Sequence, residues 1–278
     1  MKKLILTFII NILIAAHASA SLYRSYQTDD GLSHNGVWAV MQDSRGFLWF
    51  GTNDGLNRFD GLNFKVYRRV DNDSLSLGNN FIHCLLETPG GDILVGTKEG
   101  LYSYSPGSDS FRHVALDGHR FGDDRNSIHC LVTDKTGHLW VGCYGQGIYR
   151  LDSKLNVLRH YDGRHLPSRF VTAMDTDISG AIWVGTDNAG LFRLDPRTGK
   201  TTSTPVCGEN IQTLYRQSDN TLWAGTLTDG LFHFDPRSNS VRRITHTTSS
   251  NAPVHDIKAL TPYLSLIHIS EPTRLQLI

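Results

Sequence analysis

The chain has 278 residues, enough for one large domain or two small ones. Lys plus Arg and Asp plus Glu number 27 each, and the resulting zero formal charge argues against a nucleic-acid binder that works by bulk electrostatics. Hydrophobic residues at 39% and charged residues at 19% argue for a packed core and against wholesale disorder.

The first element is residues 1–20. Lys2 and Lys3 precede an apolar run from Leu4 to Ala16, broken only by Thr7 and Asn11, and Ala18-Ser19-Ala20 forms an A-x-A cleavage site. The segment reads as a secretory signal; the competing reading is an uncleaved anchor, for which a run of about 13 residues is short against the ~20 of a span. Export to the periplasm is therefore expected.

From there the chain repeats. The segments GFLWFGTNDGLNRFD (46–60), GDILVGTKEGLYSYS (91–105), GHLWVGCYGQGIYRLD (137–152), GAIWVGTDNAGLFRLD (180–195) and NTLWAGTLTDGLFHFD (220–235) share one frame. Their anchoring glycines, Gly51, Gly96, Gly142, Gly185 and Gly225, are spaced by 45, 46, 43 and 40 residues.

Each copy divides into four short strands. The first is an apolar segment (37–41, 82–86, 128–132, 171–174, 211–215), followed by a turn such as Asp43-Ser44-Arg45-Gly46. The LWxG and GLxxΦD segments, where Φ is apolar, supply the second and third strands. A fourth follows at 64–68, 111–114, 157–161 or 241–244. No window sustains a helical period. Four antiparallel strands in 40–46 residues describe a blade of a β-propeller, an all-β fold. The aromatics of the second strand, Trp49, Trp140, Trp183 and Trp223 (Leu94 in the second copy), read as packing between blades. The glycine two residues on leaves room for a neighbouring backbone.

Residues 21–262 hold about five and a half blades of ~44 residues, from an expected complement of seven. Val254-His255-Asp256-Ile257 begins a sixth copy. Residues 22–26 read as a fourth strand set ahead of the first blade, the kind of terminal strand that closes a propeller ring. The last segment, 263–278, breaks the pattern. Its string SLIHISEPTR (265–274) resembles the conceptual translation of a sequencing-adapter oligonucleotide, so native sequence is expected to stop near Pro262.

The stretch DGLSHNGVWAVMQDSRGFLWFGTNDGLNRFDG (30–61), with its later copies, resembles the two-component regulator propeller repeat. The resemblance covers residues 22–262. It implies the periplasmic sensor of a hybrid two-component histidine kinase, acting in signal transduction by phosphorelay. The implied ligand is a small molecule or oligosaccharide. The implied partners are a second propeller and membrane and kinase modules outside this chain, with a homodimer as one assembly. This part of such a protein is not an enzyme and touches no nucleic acid. Two other readings stay open: an exported propeller enzyme, a lyase or glycoside hydrolase, and a free-standing interaction scaffold.

The chemistry-bearing motifs read mostly as scaffold. GCYGQG (142–147) looks like a phosphate loop, but its glycines belong to the repeat and no helix follows. His83-Cys84 and His129-Cys130 suggest metal ligands, yet neighbours on a strand point to opposite faces, so neither pair can aim both groups at one ion. Equivalent positions in adjacent blades are too far apart for a Cys84–Cys130 disulfide. No Gly-x-Ser-x-Gly elbow exists. Asp60, Asp152, Asp195 and Asp235 each open a turn. No metal, cofactor or catalytic residue is expected.

A ligand surface follows from topology. The connections before each first strand and between second and third strands share one end of the propeller. They carry His34, Asn35, Asn53, Asp54, Asn80, Asn126, Tyr144, Gln146, Asp187, Asn188 and Asp229, which vary between copies while the strands do not. Amides, carboxylates and a tyrosine suit a hydroxyl-rich ligand.

Overall fold

The computed structural model describes residues 24–116, 126–206 and 210–244 and the backbone of 275–277. The secretory signal, the start of the sixth copy, Cys207 and most of the adapter-like tail lie outside the described residues.

After β1 (Arg24–Tyr26) and a 3-10 turn at Thr28–Asp30, five four-stranded antiparallel sheets follow in chain order. Blade 1 is β2 (Val37–Gln42), β3 (Leu48–Thr52), β4 (Gly55–Phe59) and β5 (Phe64–Tyr67). Blade 2 is β6 (Ile82–Glu87), β7 (Ile93–Thr97), β8 (Gly100–Ser105) and β9 (Ser110–Val114). Blade 3 is β10 (Ile128–Thr133), β11 (Leu139–Cys143), β12 (Gly147–Leu151) and β13 (Val157–Tyr161). Blade 4 is β14 (Val171–Thr176), β15 (Ile182–Thr186), β16 (Leu191–Leu194) and β17 (Thr201–Ser203). Blade 5 is β18 (Ile211–Arg216), β19 (Leu222–Thr226), β20 (Leu231–Asp235) and β21 (Ser240–Ile244). The fold is the all-β propeller arrangement that the repeats imply.

Every sheet is a meander with its strands in sequence order. Neighbouring sheets approach most closely through their first strands, so β2, β6, β10, β14 and β18 form the inner edge from which the blades fan. Each first strand runs one or two residues past its sequence-based end. β1 pairs antiparallel with β22 (Leu275–Leu277), and Tyr26 packs its ring on Phe59 and Phe64 of blade 1. A backbone ladder accepts any non-proline sequence, so this pairing does not depend on the side chains of the tail.

Two details of the blade differ from the sequence reading. The glycine of the second strand in blades 1 to 4 makes room for a side chain and not for a backbone. A Cβ on Gly51 would lie 2.6 Å from Ile82 Cγ2, and one on Gly185 2.5 Å from Ile211 Cγ2. Gly96 and Gly142 meet Ile128 and Val171 in the same way. Each glycine thus receives the first apolar residue of the next blade's inner strand. The second difference is a β-bulge at one position of all five inner strands, between Val37 and Ala39, Ile82 and Cys84, Ile128 and Cys130, Val171 and Ala173, and Ile211 and Thr213. The extra residue breaks the strict alternation of faces. His83 and Cys84 therefore both reach toward blade 3, His83 against Ser127 and His129, and Cys84 Sγ 3.7 Å from the Ile128 carbonyl.

The aspartate that opens the first turn does more than set backbone geometry. Asp43 Oδ1 accepts from the Arg45 and Phe47 amides at 3.0 and 2.9 Å, and its Oδ2 accepts from the Trp49 indole at 2.9 Å. Asp134 repeats this with Thr136, His138 and Trp140. Trp49 and Trp140 are fully buried. The later aspartates cap turns as expected: Asp60 Oδ1 accepts from the Leu62 and Asn63 amides, and Asp152 Oδ1 from those of Lys154 and Asn156. Cys84, Cys130 and Cys143 are not joined in disulfides.

Candidate functional site at the loop end

One backbone hydrogen bond recurs in all five blades. The carbonyl just before the inner strand accepts the amide just after the second strand: Gly36 from Asn53, Phe81 from Lys98, Ser127 from Tyr144, Phe170 from Asp187 and Asn210 from Leu227, at 2.8–3.2 Å. It clamps the two loops of each blade together. It also brings three residues of each blade together at that end: the two just named and the bulge residue. The bulge residues are Trp38, His83, His129, Thr172 and Gln212.

These side chains join into one arc. Trp38 lies 5.6 Å from Phe81 between ring centres, Phe81 4.6 Å from His83, and His83 is stacked on His129 at 4.4 Å. His129 is stacked on Tyr144 at 4.9 Å, and Tyr144 meets Phe170 at 5.2 Å. Hydrogen bonds continue where the rings stop. Tyr144 Oη donates to Asp187 Oδ2 at 2.5 Å. Asn210 Nδ2 donates to Asp187 Oδ1, and Gln212 Nε2 donates to Asn210 Oδ1. At the other end, Trp38 Nε1 donates to Asn53 Oδ1, and 48% of Trp38 remains exposed. The arc crosses every described blade, aromatic over blades 1 to 4 and amide and carboxylate over blades 4 and 5.

Its histidines are neutral at physiological pH. Burial and the neighbouring His129 and Lys98 push His83 down to about 3, and burial pushes His129 down to about 4 against the pull of Asp187. The hydrogen bond to Asp187, with burial, pushes the Tyr144 phenol up to about 12. The arc thus offers neutral rings and one carboxylate, with Lys98 and Arg169 beside them, a surface for hydroxyls and ring faces.

The eleven loop residues named from sequence divide into groups. Asn53, Tyr144 and Asp187 belong to the arc. Asp54, Asn80 and Asp229 turn away from it: Asp54 pairs with Arg68 of the blade's outer margin at 3.1 Å and accepts from Asn80 Nδ2, and Asp229 pairs with Arg243 at 2.9 Å. His34 and Asn35 hold local backbone, accepting from the Gly36 and Thr28 amides. The Gln146 carbonyl accepts from His160 Nε2 at 2.7 Å. Asn126 is buried and Asn188 is exposed. In the GCYGQG loop, the Gly145 and Gly147 amides both donate to the Arg169 carbonyl, so they are spent on the protein itself. Among the described residues, no group of three or more His, Cys, Asp or Glu converges as a metal site would.

Sequence reasoning missed Trp38, Phe81, Phe170, Asn210 and Gln212, and read His83 and His129 only as failed metal ligands. The available signal was positional. The residue after the first apolar position of each inner strand is Trp, His, His, Thr and Gln, a position that varies in character while the residues directly before and after it stay aliphatic or small.

Comparison with known proteins matches this frame. The family model for the two component regulator propeller matches residues 31–54 and 122–145. Over 75 residues the chain is 43% identical to Histidine kinase P4 of Formosa agariphila, covering 27% of this chain and 6% of that protein. The extracellular domain assigned to a hybrid two component system of B. thetaiotaomicron superposes with a TM-score of 0.70 at 23% identity, over 82% of this chain and 33% of that one. Virginiamycin B lyase from Staphylococcus aureus shares the fold with a TM-score of 0.65 at 14% identity, over 84% of this chain and 77% of the lyase. The chain therefore spans a small part of the kinase and about a third of the extracellular domain.

Proposed function

Because the chain carries two-component regulator propeller repeats, we propose that it is the ligand-sensing propeller of a hybrid two-component sensor histidine kinase, exported to the periplasm, and that the loop-end arc binds a carbohydrate. One observation carries the ligand part: a continuous arc of rings, amides and one carboxylate, crossing five blades with Trp38 half exposed at its end. Sugars present apolar ring faces and many hydroxyls, and an arc of this composition meets both. An oligosaccharide lying along it touches several blades at once. Signalling then needs only that two arrangements of the propeller and its neighbouring modules differ in affinity for that ligand, since a ligand moves an equilibrium only by its differential affinity.

The test is an oligosaccharide panel titrated calorimetrically against the protein and its Trp38→Ala and Tyr144→Phe variants. Binding that falls at least tenfold in Trp38→Ala and several-fold in Tyr144→Phe is expected, without turnover of the sugar. Binding untouched by either change would remove the arc as the site. Turnover of the bound sugar would replace the sensory reading with an enzymatic one, to which the lyase fold neighbour gives a precedent.

A further inference from the structure

At the opposite end of the propeller, the outer gaps between blades are built from matched positions. Between blades 1 and 2, Tyr67 is stacked on Trp49 at 6.0 Å. Its hydroxyl meets Tyr104 Oη at 3.0 Å and donates to Asp109 Oδ1 at 2.9 Å. Between blades 2 and 3 the matching residues are Leu94, Val114 and Leu155, which pack together as an apolar plug. Between blades 3 and 4, Tyr161 is stacked on Trp140 at 5.8 Å.

Between blades 4 and 5 the filling residue is absent. Trp183 stands where Trp49 stands, and Phe234 meets it edge-on at 5.7 Å as Tyr104 meets Trp49 at 5.1 Å. The position of Tyr67 and Tyr161 is taken by Thr204, and that of Asp109 by Asn239. A cavity of about 450 Å³ remains, lined by Trp183, Phe234, Thr204 and Asn239 together with Ser203 and Arg237. A second observation is independent of the missing ring. Trp183 is only 3% exposed, and its indole N–H has no acceptor. Asp177, which would accept it by analogy with Asp43 and Asp134, instead takes Arg193 Nε at 3.0 Å. A buried donor without an acceptor is costly, and the cost disappears when a bound molecule supplies one.

The geometry points to a small-ligand site in this cavity, shaped for a hydroxylated ring of monosaccharide size. The ring enters the space that the absent tyrosine leaves beside Trp183 and Phe234. An acceptor oxygen meets the indole N–H, and hydroxyls meet Ser203, Asn239 and Arg237. The space exceeds one phenol ring, and Ser203, Asn239 and Arg237 set several donors and acceptors beside its apolar wall, which favours a polyhydroxylated ring over a phenol. This site lies at the end of the propeller opposite the arc, so either can fail without the other.

The experiment reads the Trp183 indole N–H directly by ¹⁵N–¹H spectroscopy, with its resonance assigned by its loss in Trp183→Phe. Glucose, galactose and glucuronate are titrated to about 20 mM, well above a millimolar dissociation constant, with phenol as the control. A saturable downfield shift of this resonance with at least one sugar is expected, with the Trp38 indole as a separate reporter of the loop end. Two variants fill the cavity from opposite sides: Thr204→Tyr restores the ring of blades 1 and 3, and Asn239→Leu copies Leu155, which holds the same left-handed backbone. If Thr204→Tyr does not fold, Asn239→Leu carries the test. Abolition of the shift in the filled variant supports the site. No shift with any sugar, a shift with phenol alone, or a sugar shift that survives the filling overturns it.

Discussion

Between blades 1 and 2, a tyrosine lies on Trp49, an aspartate accepts a hydrogen bond from its indole, and the ring is fully buried. Between blades 4 and 5, a threonine faces Trp183, an arginine has claimed the aspartate, and a cavity opens. The two gaps share strands, register and tryptophan. They differ in which side chains meet the indole. The repeat therefore sets the frame, and a few positions outside its motif decide whether a gap between blades is closed or hollow.

The largest effect expected on this comparison comes from the indole itself. Trp49→Ala empties a fully buried site between two tyrosines and should cost about 3–5 kcal/mol. Trp223→Ala, in the last described blade, should cost under ~2 kcal/mol, because that indole is only partly buried. Urea unfolding monitored by circular dichroism measures both. Equal costs would mean that Trp223 is also packed between blades.

The next contrast concerns the glycines. Gly51→Ala drives a Cβ against Ile82 of the next blade and should cost about 1–3 kcal/mol by overpacking. Gly107→Ala, in a turn with open space around it, should be neutral or gain roughly 0.4–1 kcal/mol by restricting the unfolded chain. A cost at Gly107 equal to that at Gly51 would show that the second-strand glycine serves the backbone and not the neighbouring side chain.

A subtler pair separates the satisfied indole from the unsatisfied one. Trp140→Phe strips a donor from the buried Asp134, whereas Trp183→Phe removes an N–H that has no acceptor. Both lose the same volume, so the first should be about 1–2 kcal/mol more destabilising than the second. Thermal melts of the two variants side by side give the difference.

The frame was legible in the sequence because it rests on what every blade must share. Glycine at 51, 96, 142, 185 and 225 recurs in all five copies, and the aromatic two residues before it and the aspartate that closes the third strand recur in four, each solving the same steric or hydrogen-bonding problem. The loop-end arc was only half legible. Tyr144 and Asp187 lie in loops, where specificity is looked for, but Trp38, His83 and His129 lie in strands. Only the bulge turns them to the mouth, and a bulge leaves no residue signature when its extra position is Trp, His, Thr or Gln by turns. The cavity was not legible either, because Thr204 becomes informative only once it is aligned in space with Tyr67 and Tyr161.

The smallest effect to be resolved is one of pH, and it separates the two ends of the propeller. His83 and His129 sit at about 3 and 4 in the folded protein, against about 6.5 when unfolded. The unfolded chain then binds more protons across that interval, so stability is complete above pH ~6.5 and is lost as the pH falls toward 4. Asp134 works in a lower window. Burial raises its carboxyl, but hydrogen bonds from Thr136, Trp140 and the backbone prevail and hold it at about 2, so its contribution is lost as the pH falls from about 4 toward 2. Urea midpoints recorded between pH 7.5 and 2.5 should therefore decline in two stages. The double variant His83→Gln, His129→Gln should shrink the upper stage to the part that the partly buried His113 supplies and leave the lower one, and Asp134→Asn should shrink the lower stage, which Asp43 and Asp109 share, and leave the upper. An upper stage of undiminished size in the double histidine variant would mean that the stacked pair is not held neutral, and the arc would then gain positive charge at mildly acidic pH.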